Sequence, residues 1–451
     1  MTDTIVALAT PNSQSALGII RVSGNMVLEL CEKACGTPCP IPRHAHLTKY
    51  TSLEENTLDQ LILVYYEKGK SFTAENCLEL SCHGNPIVFQ EILNDLIQRG
   101  CRMANPGEFA YRAFQNGKID LTQAEAIADL IGAKNKQALF LAKKNLEGNL
   151  SAKIDNLQNS ILRQHSDIEA FIDFPEDDLG EEKTAQIITN LQRICSQLFE
   201  LIEIRKKTDA FNRNLRVVLV GPPNAGKSSI FNKIIGMDRA IIDQEPGTTR
   251  DFIDYNINLG QVNIQLYDTA GIRETDQQIE KQGIERTYEL IKDADLVLIV
   301  LDRSLPYPSF IDKEMQREIK DRKSIIVLNK SDLPNNIEIT GSYFNELPKT
   351  EVSVTEGKSI LKLTDEIRKC LLDDSCIENE FNLSVNLRQS NALVKSLACI
   401  QKSIVNMQSE ETIEFAIPDL KESISLLGEI VGNKDNEDML DLLFSNFCIG
   451  K

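Results

Sequence analysis

The run Leu215-Arg216-Val217-Val218-Leu219-Val220 passes directly into Gly221-Pro222-Pro223-Asn224-Ala225-Gly226-Lys227-Ser228-Ser229. No other junction in the chain constrains the fold as much. The apolar run reads as a strand buried on both faces, the pattern of a parallel sheet. The nine residues after it fit G-x-x-x-x-G-K-[ST], a phosphate-binding loop, and those from Lys227 onward read as a helix. Glycines are needed where a Cβ would block backbone N–H groups from turning inward on phosphates. The helix N-terminus, the Lys227 ammonium and the Ser228 hydroxyl would serve the phosphates and Mg²⁺. Strand, loop and helix in this order commit the region to an α/β fold.

Three further motifs follow at the spacing a GTPase requires. The strand-like Gln265-Leu266-Tyr267 leads into Asp268-Thr269-Ala270-Gly271, where Asp268 can hold the Mg²⁺ shell and Gly271 can sense a γ-phosphate. Ser324 to Leu328 form another apolar strand, ending in Asn329-Lys330-Ser331-Asp332. The Asp332 carboxylate can accept from N1–H and the exocyclic amine of guanine, a donor pair that adenine lacks. Between these motifs, Gly247-Thr248-Thr249-Arg250-Asp251 offers hydroxyls for a switch loop. The residues expected to touch GTP are Asn224 to Ser229, Asp243, Gln244, Glu245, Pro246, Gly247, Thr248, Thr249, Asp268, Thr269, Ala270, Gly271, Asn329, Lys330, Ser331, Asp332, Ser353, Val354 and Thr355.

At 451 residues the chain has room for two to four domains. It contains no apolar run long enough to cross a membrane, and the start Met1-Thr2-Asp3-Thr4 lacks a signal peptide's pattern. Eleven scattered cysteines, an odd number, predict reduced thiols in a cytoplasmic protein. Cys31, Cys35 and Cys39 are spaced too widely for the usual radical iron–sulfur triplet and read as loop thiols. A formal net charge of −18 opposes bulk attraction to nucleic acid, so an RNA partner would need a local basic patch or a second protein.

Pattern divides the rest. Residues 1–118 alternate β-like runs (Thr4–Leu8, Gly18–Val22, Leu61–Tyr66) with a helix-like one (Ile87–Gln98), predicting an α+β domain. Residues 119–213 carry apolar residues at helical spacing and predict long helices, interrupted once at the acidic stretch Asp173 to Gly180. Residues 214–375 hold the nucleotide motifs, and 376–451 return to helical spacing. The predicted architecture is multidomain α/β: an N-terminal α+β domain, then a helical bundle split by an inserted Ras-like P-loop domain. Ile272 stands where Ras-like enzymes carry the water-orienting glutamine, leaving Arg273, Glu274 and Glu280 as nearby candidates for that task.

Gly221 to Ser229, Gly247 to Asp251, Asp268-Thr269-Ala270-Gly271-Ile272-Arg273-Glu274 and the tail Phe447-Cys448-Ile449-Gly450-Lys451 resemble the MnmE (TrmE) family of tRNA-modifying GTPases. The likeness extends to Thr4-Ile5-Val6-Ala7, Asn105 to Phe109 and Leu121 to Ile127, so it touches every region. It implies a folate-binding N-terminal domain that also forms a homodimer. It further implies a partner of the MnmG type, bringing FAD and NADH to a heterotetramer that modifies C5 of the wobble uridine of certain tRNAs. The one-carbon donor would be 5,10-methylenetetrahydrofolate, bound as 5-formyltetrahydrofolate would be. Asn224, Asp243, Glu245 and Thr248 would surround a K⁺ ion, and Ser228 and Thr249 would hold Mg²⁺. Glu280 would orient the water, with Arg273 beside it in the catalytic set. Arg21, Glu79, Lys118 and Lys451 would bind folate, with Cys448 as a free thiol nearby. Two residues depart from the family pattern: Pro222 replaces a common arginine, and Ile242-Asp243-Gln244-Glu245-Pro246 is unusually acidic. A regulatory or ribosome-assembly GTPase, or a folate-dependent transferase controlled by GTP, remains open on the residues alone.

Overall fold

A computed structural model describes residues 3–173, 181–236, 254–269, 287–306, 313–338, 344, 346–372, 381–408, 410–432, 440, 443–445, 447 and 450. In chain order the elements are β1 (Ile5–Leu8), β2 (Leu17–Ser23), α1 (Val27–Lys33), β3 (Ala45–Thr51), β4 (Thr57–Tyr66), β5 (Cys77–His83), α2 (Pro86–Gln98), β6 (Arg102–Met103), α3 (Glu108–Gln115) and α4 (Leu121–Gly132). There follow α5 (Lys136–Leu146), α6 (Asn149–Asp173), α7 (Glu181–Asn212), β7 (Asn214–Val220), α8 (Lys227–Ile235), β8 (Asp254–Asn258), β9 (Asn263–Asp268) and β10 (Leu296–Asp302). The chain closes with α9 (Lys313–Lys320), β11 (Ser324–Asn329), β12 (Lys349–Val352), α10 (Gly357–Leu371), α11 (Leu387–Asn406) and α12 (Ala416–Val431). Two compact units form: Met1–Ile131 with Asn145–Cys195 and Lys395–Lys451, and Gly132–Lys144 with Ser196–Val394. Among the described residues no helix is long and apolar enough to cross a membrane.

The first unit holds a six-stranded sheet in the order β3-β4-β5-β2-β1-β6, antiparallel except where β1 meets β6. Burial alternates along its strands. In β4, Leu61, Leu63 and Tyr65 are buried while Ile62 is exposed. The inward set packs with Phe89, Ile92 and Leu96 of α2. That helix starts where the sequence provides a cap and a pre-set φ: Asn85 accepts the Ile87 N–H at 2.9 Å and Pro86 takes the first turn. In the same unit, α6 packs on α12, with Gln158 donating to the Ile424 carbonyl at 2.9 Å and Lys421 meeting Glu169 at 3.1 Å.

The second unit is built on the order β12-β11-β10-β7-β9-β8, parallel apart from the edge strand β8. Both faces are covered. Leu215, Val217 and Leu219 pack with Ile230, Phe231 and Leu363, whereas Val218 and Val220 pack with Ile291 and Ile319 on the other side. All seven residues of β10 are buried accordingly. After β7 the chain builds β8 and β9 on one side and then crosses to β10 on the other. The reversal of strand order opens a crevice at the carboxyl ends of these strands.

The helical stretch before β7 is broken more often than its periodicity predicts. It breaks at 133–135 and at 147–148, whereas the interruption predicted after Asp173 falls on 174–180, outside the described residues. Asn135 caps α5 by accepting from Ala138 N–H at 2.8 Å, and Gly148 takes a φ of +89°. A capping asparagine and a left-handed glycine are local stop signals that an apolar stripe does not reveal.

Candidate functional site

The second unit carries an open cavity of about 650 Å³ at the carboxyl ends of β7 and β11. Its wall is made by the phosphate loop, by the segment after β11, and by Ser353 to Thr355 after β12. The loop depends on two glycines. Gly221 has φ +156°, and a Cβ there would stand 2.2 Å from the Val300 carbonyl oxygen. Gly226 has φ +96°, and its Cβ would meet Asn329 Nδ2 at 2.1 Å. At Gly221 backbone approaches backbone, and at Gly226 the Asn329 side chain lies against the turn; glycine leaves the room that both need. Asn224 also adopts a left-handed φ of 62°, at the exposed crest of the loop.

Lys227 folds over the loop, donating to the carbonyls of Gly221 at 2.8 Å and Pro222 at 2.9 Å. Its ammonium is thus held at the loop's mouth, beside Ser228 and Ser229 on the cavity wall. Asn329 ties the two walls together by donating from Nδ2 to the Ala225 carbonyl at 2.8 Å. Its Oδ1 is buried and has no partner among the described residues. Asp332 accepts from the Ser353 hydroxyl at 2.7 Å, and this bond is the main reason its carboxyl is held below the usual range. Ser353 also bonds Thr355 at 2.7 Å, and Ser359 Oγ accepts the Ser353 N–H at 3.0 Å. A charged acceptor is therefore fixed by second partners and faces an opening of nucleotide dimensions.

Asn224, Gly226, Lys227, Ser228, Ser229, Asn329, Lys330, Asp332, Ser353, Val354 and Thr355 line this one cavity. Ala225 contributes through its carbonyl from a buried position. Ser331 follows Lys330, and its N–H bonds the Val352 carbonyl at 3.1 Å. Asp268 is buried at the end of β9, and the Thr269 hydroxyl donates to the Leu219 carbonyl at 2.7 Å. Asp243, Gln244, Glu245, Pro246, Gly247, Thr248, Thr249, Ala270, Gly271, Arg273 and Glu280 lie outside the described residues, as do Lys451 and Cys448.

Asp302, at the end of β10, is absent from the sequence-derived set. Its Oδ2 accepts from Lys330 Nζ at 2.6 Å, and its Oδ1 accepts from the Ser304 hydroxyl at 2.6 Å and the Ser304 N–H at 3.0 Å. Burial pushes this carboxyl up, but the bonds from Lys330 and Ser304 outweigh it and hold the group below its usual range. The available signal was an acidic residue closing a strand of six apolar ones, Leu296 to Leu301.

In the first unit, Arg21 and Glu79 sit opposite each other on β2 and β5. Arg21 donates to Glu79 Oε1 from Nε at 3.0 Å and from Nη2 at 2.8 Å, and lies 5.8 Å from the Phe109 ring centroid. Its Nη1 reaches the Gly450 carbonyl at 3.3 Å, and Tyr66 OH donates to Glu79 Oε2 at 3.3 Å. Lys118 is not part of this group. It lines a different cavity of about 740 Å³, together with Tyr111, Asp120, Gln123 and Gly432, and donates to the Gly69 carbonyl at 3.2 Å. Cys31 on α1 and Cys35 just beyond its end are buried, their thiols pushed up to about 12 by burial, while Cys39 is exposed.

Known proteins give two kinds of match. The family model for the MnmE helical domain covers residues 121–448, and the model for the GTP-binding protein TrmE N-terminus covers residues 4–118. The chain is 38% identical over 453 residues to a tRNA modification GTPase MnmE from Aquifex aeolicus, spanning 100% of both chains. It is 36% identical over 449 residues to the protein of that name from Opitutus terrae, spanning 100% of this chain and 99% of the relative. The Thermotoga maritima protein of the same name is 36% identical over 456 residues, again spanning 100% of both.

Proposed function

The chain belongs to the MnmE family, and from that premise we propose that it hydrolyses GTP in the course of modifying tRNA. The observation that carries the reading is the convergence of Lys227, Ser228, Asn329, Asp332 and Ser353 on one cavity of the second unit. Lys227 and the amides of the glycine-rich turn take the phosphates, and the Asp332 carboxylate takes the guanine edge. Ser228, with Thr249 and the Asp268 carboxylate, is a hard oxygen donor set of the kind Mg²⁺ prefers.

The finer reading extends to a K⁺ ion, a folate and a partner. Asn224 offers a neutral amide oxygen at the exposed crest of the loop and, with Asp243, Glu245 and Thr248, would hold K⁺. Such an ion would supply positive charge against the departing γ-phosphate. Glu280 would orient the attacking water in place of the residue that Ile272 cannot mimic, with Arg273 nearby. Arg21 and Glu79, paired on one sheet face, would offer a donor and an acceptor to a folate, and the family likeness adds Lys118 and Lys451 to that set although Lys118 lines a separate cavity. Domains over 1–118, 119–213, 214–375 and 376–451, a homodimer, a cytoplasmic location and an MnmG-type FAD flavoprotein in a heterotetramer complete the proposal.

Nucleoside analysis of tRNA from cells lacking the protein tests the activity. Loss of the C5 substituent on wobble uridines is expected. Unchanged wobble uridines would reject it and leave a regulatory or ribosome-assembly GTPase. Comparing turnover in K⁺ and Na⁺ at equal ionic strength tests the ion separately: a wild type indifferent to K⁺ would remove Asn224 from that role.

A further inference from the structure

We propose that the exposed face of α5, formed by Lys136, Phe140, Lys143 and Lys144, is a docking surface for the RNA phosphate backbone. The inference rests on the tRNA reading above and locates the contact on the nucleotide-binding unit. Residues 132–144 carry four lysines and no acidic residue, in a chain whose formal net charge is −18. The next acid is Glu147, past the end of the helix. Helical spacing separates two faces. Ala138, Leu141 and Ala142 are buried, with Leu141 in the core beside Phe211 and Leu215. Lys136, Phe140 and Lys143 are exposed and Lys144 half-exposed on the other face.

Helix stability alone does not explain this charge pattern. Lys143 and Lys144 in the last turn suit the negative end of the helix dipole. Lys134 and Lys136 stand at the opposite end, where the dipole disfavours cations and no acidic residue occupies the first turn. A bulky aromatic is left outside the core as well: Phe140 is 39% exposed, with the Lys144 ammonium 5.8 Å from its ring centroid. Lysines flanking an exposed ring are what a phosphate backbone and an unstacked base would engage. Lys136 and Lys143 lie about 10 Å apart along the helix axis, so each can neutralise a different phosphate. The start of the helix is anchored. Asn135 Nδ2 donates to the Phe211 carbonyl at 2.8 Å, and Asn258 Nδ2 donates to the Lys134 carbonyl at 2.6 Å.

The test is salt-dependent binding of an unmodified tRNA transcript to the full-length chain, with and without its flavoprotein partner. The triple variant Lys136→Gln, Lys143→Gln, Lys144→Gln should bind about tenfold or more weakly at low salt, and its log–log salt slope should fall by about 2–3. Phe140→Ala should weaken binding about fivefold with the slope unchanged, because stacking releases no counterions. GTP turnover without RNA should be the same in all three proteins, which also shows the variants to be folded. A triple variant with the wild-type slope and affinity would overturn the proposal. So would one that loses the flavoprotein yet keeps tRNA, since the face would then serve an acidic protein. A wild type that neither binds tRNA nor supports wobble-uridine modification would instead sink the tRNA reading, and this surface with it.

Discussion

The two sheets of this molecule handle charge in opposite ways. In the second unit the parallel strands are covered on both faces, so their side chains are spent on the core. Polar side chains appear where strands end, Asp268 at the end of β9, Asp302 at the end of β10 and Asn329 at the end of β11, and the loop opened by Gly221 follows β7. In the first unit the mostly antiparallel sheet leaves part of one face uncovered, and Arg21 and Glu79 meet in mid-strand across β2 and β5. A sheet filled on both sides can offer a ligand only its edge of loops, whereas a half-covered sheet can offer a surface.

Disturbing the loop that follows a strand end should therefore weaken binding and spare the fold. Gly226→Ala places a methyl 2.1 Å from Asn329 Nδ2 at a backbone φ of +96°. Strain of about 1–3 kcal/mol and the loss of the buried Asn329 bond to Ala225 act together. GTP affinity should fall at least about 100-fold by fluorescent-nucleotide titration. A variant binding GTP normally would show that the loop after β7 does not set the site.

The first unit should give the reverse result, because its buried charges brace the fold. Glu108 accepts from Arg102 at 2.6 Å, Arg112 at 2.9 Å and the Asn105 N–H at 2.8 Å, and Arg112 is only 1% exposed. Glu108→Gln should cost about 3 kcal/mol of that unit's stability, since it strips charge from a buried cluster. Burial raises the Glu108 carboxyl, but the arginines outweigh it and the net shift is downward. A depressed carboxylate stabilises above its unfolded pKa, and that contribution is lost as pH falls through the folded one. Urea midpoints of the wild type should thus drop between about pH 5 and pH 3, and those of Glu108→Gln should drop less. Parallel pH profiles would show the cluster to be neutral in effect.

The same contrast explains what could be read from the residues alone. The loop from Gly221 to Ser229 and the run Asn329 to Asp332 are contiguous because a strand end and its loop are contiguous in sequence. Arg21 and Glu79 are separated by 58 residues and joined only by strand register, so their pairing carries no local signature. Lys118 groups with them on family likeness but lines another cavity. Asp302 was missed because a single acid after an apolar strand has no motif; its role appears only when β10 lies beside β11. The helix breaks at Asn135 and Gly148 were missed because the apolar stripe continues across them.

Asp302 sharpens the comparison from within the second unit. It is a positioning residue, fixing the Lys330 ammonium at 2.6 Å while Lys330 holds a left-handed φ of 61°. Asp302→Asn should lower affinity for both GTP and GDP about tenfold, the scale of one lost charge-assisted bond, and leave kcat unchanged. On a Lys330→Met background the same change should have little further effect, because the two act as one unit. Additive losses would mean that Asp302 works through something other than Lys330.

The smallest expected effect decides whether the open sheet face is a ligand surface at all. Arg21→Lys keeps the charge but gives up the two-pronged bond to Glu79 and the guanidinium placed over the Phe109 ring. Each partner is 24% exposed, so water screens the pair and the stability loss should be only about 1 kcal/mol. Nucleotide affinity should not move, since strand ends and not this face serve GTP. Tetrahydrofolate affinity, followed by fluorescence titration, should fall about tenfold, because a planar guanidinium matches a ring edge in a way that an ammonium cannot. A variant that loses the 1 kcal/mol but binds folate as before would make Arg21 and Glu79 a brace between β2 and β5. The first unit would then use its open face as it uses Glu108 and Arg112, to hold the fold together.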